Sequence, residues 1–411
     1  MTRGRRSDVP GTPARPLRVL VLDHTGALGG AELALVRTCE ALGPDVDVRV
    51  LLFADGPLRD RLESLGVRVE VLPLDPDLNE LDRATVARAA PAHAKSVARL
   101  LAFEVRLARR VRELRPDVVH TTSLKADLLG IVPARVARRP LVWHVHDRIS
   151  EDYLARHLVT AVRALSRLAD AVVVNSRATA ATLPGPVTIA YPGFTPDQAT
   201  GEAVHRAPRP PVVGLVGRYA PTKGQLELVR AAATVLERHP EARFRFVGAP
   251  FFGAEGYVES VCAEARRLGV DEAVTWTGFA EDPRAEIDGL TVLVHASPVP
   301  EPFGQVVVEA MVRGVPVVAT AAGGVPEILD PDGAVTDVPA PGTVHESDLG
   351  LLVAPGDVAG LAAAVVAVLD DPVAAGRRAD RAHLSATTRF SVASTAGTLS
   401  DVWERVTAGV R

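Results

Sequence analysis

Short, wholly apolar runs alternate with stretches of helical period along almost the whole chain. Leu17–His24 (LRVLVLDH) is the first such run, of the kind buried on both faces of a parallel sheet. A helical stretch starting near Gly29 follows (AELALVRTCEAL), then VDVRVLLF from Val46, a Gly-Pro turn, PLRDRLESLG from Pro57 and VRVEVLPL from Val67. The runs VVHTTS, PLVWHVHD, AVVVNS and VTIAYPG complete this first alternation. Strands and helices in strict alternation predict an open, doubly wound parallel sheet. A stretch rich in Pro, Ala and polar residues, Thr195–Pro211, precedes a second alternation: VVGLVG from Val212, RFRFVGAP, AVTWTGF, TVLVHAS, VPVVAT, LGLLVAPG and a helix from Val358. The expectation is an α/β chain with two Rossmann-like domains, 17–195 and 212–390, joined by a linker at 196–211. A disordered basic tail is expected at 1–16 and an amphipathic helix at 391–411. A length of 411 residues suits two domains.

The chemistry gathers on loops of the second alternation. From Glu301 to Glu309 the chain reads EPFGQVVVE, with the strand TVLVHAS before it and VPVVAT after it. Glu301 is thereby expected at the carboxyl end of a strand, where open parallel sheets bind ligands. The backbone N–H groups of Phe303, Gly304, Gln305 and Val306 are expected at a helix N-terminus, facing an anion or a sugar hydroxyl. Glu309 lies about two turns further in. Gly217–Gly224 (GRYAPTKG) follows another strand, and its Lys223 is one of only three lysines among 46 basic residues. A lysine in so arginine-rich a chain suggests a compact ammonium rather than a planar fork, and Arg218 beside it could reach the same diphosphate. Gly323–Ile328 (GGVPEI) offers a third glycine-rich turn. Each of these taken singly is also compatible with a solvated surface loop.

Together with GALGGAE (Gly26–Glu32), PDVVH (Pro116–His120), WHVHD (Trp143–Asp147) and VVVNS (Val172–Ser176), these segments resemble the retaining nucleotide-sugar glycosyltransferases of family four, which have the two-domain GT-B fold. The match runs over nearly the whole chain. The resemblance implies that Gly29 and Gly30 lie against the donor's phosphate or sugar, that Arg218 and Lys223 bind the diphosphate, and that Gly217 belongs to the same site. It gives Glu301 the sugar hydroxyls, Glu309 the ribose hydroxyls and His146 a place beside the reacting carbon. It also implies a C-terminal helix that crosses back to the first domain. In this family both reacting groups are held on one face of the sugar, with the leaving phosphate accepting the acceptor's proton, so that Glu301 orients rather than attacks. The donor is a substrate, a nucleoside-diphosphate sugar with UDP expected first and GDP second, and no cofactor is implied. A sugar, a lipid-linked group or a small molecule would be the acceptor. The chain departs from the family at Tyr191-Pro192-Gly193, where an Asn-Gly is common, and no role is carried onto that position. Period-two alternation puts His144 on the same strand face as His146, so either ring could instead be a satisfied core residue.

Composition narrows the alternatives. Hydrophobic residues at 47% and charged ones at 23% indicate a globular chain. The basic N-terminus lacks an apolar stretch, and no run reaches the roughly 18 apolar residues of a membrane span, so a cytoplasmic protein is expected. The two cysteines, Cys39 and Cys262, fall in different domains and argue against a disulfide framework. Asp45-Val46-Asp47 and Asp75-Pro76-Asp77 could hold Mg²⁺ with phosphates, but they lie far in sequence from the phosphate motifs, and a metal-independent site is expected. Residues 1–200 carry 28 basic against 23 acidic residues, a net of +5, while the remainder carries 18 against 27, a net of −9. The basic excess lies in Asp82–Arg115, which reads either as a helix resting on an anionic membrane, at the inner face, or as a solvated helix face. Few aromatics and an acidic second half argue against nucleic acid. The glycine spacing after the first strand does not fit a dehydrogenase. A sugar-nucleotide epimerase and a non-catalytic sugar-nucleotide-binding partner are the remaining alternatives.

Overall fold

The computed structural model describes residues 15–76, 94–199, 210–250, 255–280, 282–333 and 338–409. The tail 1–14, most of the linker 196–211 and the first part of the basic stretch from Asp82 lie outside these residues. The first sheet contains β1 (Leu17–Asp23), β2 (Val46–Leu52), β3 (Arg68–Val71), β4 (Val118–Thr121), β5 (Leu141–Val145), β6 (Ala171–Val174) and β7 (Thr188–Ile189). Its helices are α1 (Gly30–Ala41), α2 (Pro57–Ser64), α3 (Ala94–Leu114), α4 (Leu124–Ala137), α5 (Arg156–Leu165) and the single turn α6 (Arg177–Ala180). The spatial order is β3-β2-β1-β4-β5-β6-β7, and every pairing is parallel. The apolar runs are buried because helices cover both faces: Leu20, Leu22 and Trp143 pack under α3 and α4, and Val19, Val21 and Val142 face the other way.

The second sheet repeats the topology. It contains β8 (Val212–Val216), β9 (Arg243–Val247), β10 (Val274–Gly278), β11 (Val292–His295), β12 (Val317–Thr320), β13 (His345–Glu346) and β14 (Leu351–Val353), in the order β10-β9-β8-β11-β12-β14-β13. Only β13 runs antiparallel. Its two residues sit on an edge and carry no apolar run, which is why the sequence does not announce them. The helices are α7 (Gln225–Arg238), α8 (Glu255–Leu268), α9 (Arg284–Asp288), α10 (Gln305–Val312), α11 (Val325–Leu329), α12 (Val358–Asp370), α13 (Pro372–Arg389) and α14 (Val392–Ala408). Two doubly wound parallel sheets bear out the expected fold class. Each sheet reverses its strand order beside its first strand, between β1 and β4 and between β8 and β11, and ligands of open α/β sheets lie at such points.

The chain crosses between domains twice at one place. Phe194 N–H donates to Phe390 O at 2.8 Å and Val392 N–H donates to Phe194 O at 3.1 Å, so the outgoing and returning strands zip together. Gly193 is pressed there: a Cβ on it would lie 2.4 Å from Val392 Cα. Beyond this knot, α14 packs Leu399, Val402 and Trp403 against β1 and β4 of the first sheet, and Trp403 Nε1 donates to His120 Nδ1 at 3.2 Å. Among the described residues no single helix is long and apolar enough to cross a membrane.

Candidate active site

At the second domain's reversal point, the loop after β8 and the loop after β11 bring Lys223 and Glu301 together. Lys223 Nζ donates to Glu301 Oε1 at 2.5 Å. Burial pushes the Glu301 carboxyl up, but Lys223 and then His295 outweigh it and hold the group below the usual carboxylate range. His295, at the end of β11, stands 3.9 Å from the same oxygen; burial pushes it below the ordinary imidazole range against the pull of Glu301, and its Nε2 is buried without a hydrogen-bond partner. Arg218 is exposed at the mouth of the loop and adds to the positive field on Glu301, while its carbonyl accepts from Gln225 Nε2 at 2.9 Å.

Glycines make this approach of loops feasible. Gly224 ends the turn around Lys223 with φ 81°, and a Cβ there would lie 2.0 Å from Ala296 O. A Cβ on Gly323 would meet Glu301 O at 1.9 Å, and Gly324 N–H donates to that carbonyl at 2.9 Å, so the third glycine turn pins the Glu301 loop. Gly217 and Gly248 are stacked, with a Cβ on Gly248 only 2.0 Å from Gly217 O, and Gly248 N–H donates to Gly278 O at 2.8 Å. These three glycines end β8, β9 and β10 beside the half-exposed Phe279.

Helix α10 carries the rest. Gly304 caps it with φ 112°, a conformation that favours glycine. Phe303 turns inward and packs its ring against Tyr191 and Phe390, so only its backbone is available to a ligand. Val306 is half buried against the same core. Gln305 reaches across the cleft, donating through Nε2 to Gly30 O at 2.8 Å and accepting at Oε1 from Arg37 Nη2 at 2.7 Å. Glu309 is pushed up by burial, with Arg37 opposing the shift. Glu301 and Glu309 therefore serve separate surroundings, one around Lys223 and the other around Arg37.

On the facing side, Gly29 caps α1, and a Cβ on it would lie 2.4 Å from Glu32 Oε2. Burial, then the field of Asp23, pushes Glu32 up to about 8. Asp23 is fully buried, accepting from Thr122 Oγ1 at 2.7 Å and Thr25 N–H at 3.2 Å. His146 lies just past β5, its ring 4.1 Å from that of His144, as the period-two pattern requires. Burial lowers it to about 4 despite Asp147 and Asp23, so the ring is neutral at physiological pH. His120, His144 and His146 line a small cavity closed by α1 and α14. Further contacts close the cleft: Ser176 Oγ donates to Pro302 O at 2.5 Å, and Glu327 accepts from Arg177 N–H at 3.0 Å and from Tyr191 Oη at 3.0 Å.

The structure thus gathers Arg218, Lys223 and Glu301 on one wall, and Gly29, Gly30 and His146 on the other, with Gln305 between. Arg37, Glu32 and His295 carry no role in the sequence reading. Arg37 has no local signal, because its hydrogen-bond partner Gln305 lies 268 residues downstream, whereas Glu32 and His295 sit inside motifs singled out for their neighbours. In the Asp-x-Asp stretches, Asp47 binds Arg68 and Asp75 binds Arg99 at 3.1 Å, while Asp77 lies outside the described residues.

Two doubly wound domains that face each other across glycine-lined loops, with a Lys–Glu pair at the second domain's reversal point, make up the GT-B fold of glycosyltransferases. Residues 29–185 match the family described as glycosyl transferase 4-like domain, and residues 210–371 match glycosyl transferases group 1. A 2-deoxystreptamine glucosyltransferase of Streptomyces kanamyceticus is 32% identical over 91% of this chain and 97% of its own length. The chain belongs to this glycosyltransferase family. A glycogen synthase of Mycobacterium tuberculosis is 29% identical, over 73% of this chain and 71% of the relative. Among solved structures, Anabaena HepE in complex with UDP-glucose superposes with a TM-score of 0.77 at 28% identity, covering 95% of this chain and all of that one.

Proposed function

We propose that the chain transfers a hexosyl group from a UDP-sugar to a hydroxyl of a polyol or sugar acceptor, with retention and without a metal ion. GDP is the second choice of nucleotide. The observation that carries this reading is the Lys223–Glu301 pair at 2.5 Å, beside Arg218 and opposite Gly29 and Gly30. Breaking the anomeric bond places negative charge on the departing diphosphate and positive charge on the sugar. Lys223 and Arg218 stabilise the first, and a well-aimed donor of this kind contributes about 10²–10³ in kcat. Glu301 orients the sugar hydroxyls and holds Lys223 in place before the donor arrives. Glu309 takes the ribose hydroxyls, and neutral His146 lines the acceptor side. The HepE complexes with UDP and UDP-glucose support a uridine donor.

The carboxylates of Asp23 and Asp147, which help to keep Glu32 protonated, give the acceptor wall a negative field, which favours a neutral or amine-bearing acceptor over a phosphorylated one. The test is release of UDP from UDP-glucose with 2-deoxystreptamine, inositol 3-phosphate or simple sugars, in EDTA, with the product's anomeric configuration read by NMR. An axial product formed without metal is expected. Turnover that requires added Mg²⁺, or an equatorial product, would contradict the reading. Free UDP-sugar interconverted with no acceptor present would indicate an epimerase instead.

A further inference from the structure

Helices α3 and α4 carry an exposed aliphatic face that neither the sheet nor the cleft uses. On α3, Val97, Leu101 and Val105 stand at intervals of four residues and are 51%, 60% and 70% exposed. On α4, Val132 and Val136 repeat the interval and are 53% and 48% exposed. Leu101, Val105 and the two α4 valines line one shallow groove. The inward faces of the same helices are filled normally, with Phe103, Leu107 and Val111 fully buried, so the outward stripe is additional to what the core needs.

Charge identifies what covers it. The groove is bordered by Arg49, Arg112 and Arg115, none of which has a carboxylate partner among the described residues. Glu113 is already taken by Arg109 and Arg110. Glu104, within the groove, is pushed up to about 7 by burial, so its charge opposes an anionic partner only in part. We propose that the α3–α4 face is a docking surface for an anionic lipid bilayer, with the aliphatic stripe entering the acyl boundary and the arginines meeting headgroup phosphates. A second copy would set these arginines against like charges, which disfavours self-association. A bilayer accepts a row of aliphatics without a shaped complement, and basic amphipathic helices bind it in this manner. Because α3 ends just before β4 begins, the arginine end lies at the amino ends of the strands, away from the cleft, and docking leaves the site open to the donor.

Co-sedimentation with phosphatidylglycerol vesicles tests this on the full chain without any substrate, so its outcome is separate from that of the activity assay. Binding is expected to phosphatidylglycerol but not to phosphatidylcholine, and to weaken with salt. Leu101→Glu/Val105→Glu and Arg112→Glu/Arg115→Glu should each reduce it at least tenfold, with far-UV circular dichroism and thermal unfolding unchanged. Failure to bind phosphatidylglycerol at low salt, or equal binding by the folded variants, would overturn the proposal. A lipid-free dimer broken by Val105→Glu would assign the stripe to a second copy. A Val105→Cys thiol shielded from maleimide in the lipid-free monomer would assign it to residues 77–93. Either result would also overturn the proposal.

Discussion

Glu32 stores a pH dependence that a surface carboxylate would not. Its ordinary value is near 4.5 and its folded value is about 8, because burial and Asp23 penalise the charge. Between those values the folded protein still holds a proton that the unfolded chain has released. Stability therefore falls as pH rises through that window and levels off above it. Glu32→Gln removes the titration while keeping the shape. The melting temperature of the variant relative to wild type is expected to climb by a few degrees between pH 5 and pH 8.5. A difference that stays flat over that range would mean that Glu32 titrates as an ordinary carboxylate.

Among the elements, the loops rather than the strands and helices decide the site, and Gly224 is one of their most constrained positions. Its φ of 81° costs an L residue about 1–2 kcal/mol, and a Cβ there would also lie 2.0 Å from Ala296 O. Gly66 has nearly the same φ, 79°, but open space around it. Gly66→Ala should therefore show only the backbone cost, whereas Gly224→Ala should lower the melting temperature further and weaken nucleotide binding as Lys223 is displaced. Equal melting temperatures for the two variants would remove the argument from close approach. The same contrast explains what was legible in the sequence. Runs such as LRVLVLD and VVGLV reveal their strands because burial on both faces demands continuous apolar residues. The loops after β8 and β11 stood out because glycine, lysine and paired glutamates break that pattern. Arg37 did not stand out, since an arginine on an amphipathic helix looks solvated until the second domain covers it. The two-residue β13 likewise carries no pattern of its own.

For the whole molecule, function rests on how the domains meet. Arg37 on α1 is 7% exposed, donates to Gln305, lies 4.6 Å from the Phe194 ring centroid and feels Glu309. It ties the first domain to the helix whose Glu309 is proposed to take the ribose. Losing a charge-assisted hydrogen bond of this sort costs about 1.5–3 kcal/mol. Arg37→Ala should therefore raise KM for the sugar nucleotide roughly tenfold or more. Gln305→Ala combined with it should add less than its separate effect, because the two act through one contact. Independent, fully additive effects in steady-state kinetics would show that the contact does not couple closure to donor binding.

The Lys223–Glu301 pair is most directly tested by isothermal titration calorimetry of UDP and of UDP-glucose, into wild type and into a folded Lys223→Ala variant. The full charge of the leaving group is present on UDP and only developing during transfer from UDP-glucose, so an ammonium aimed at it favours UDP more. Lys223→Ala is expected to weaken UDP at least tenfold and UDP-glucose by less. Unchanged UDP affinity in the folded variant would contradict the assignment of this loop to the departing diphosphate.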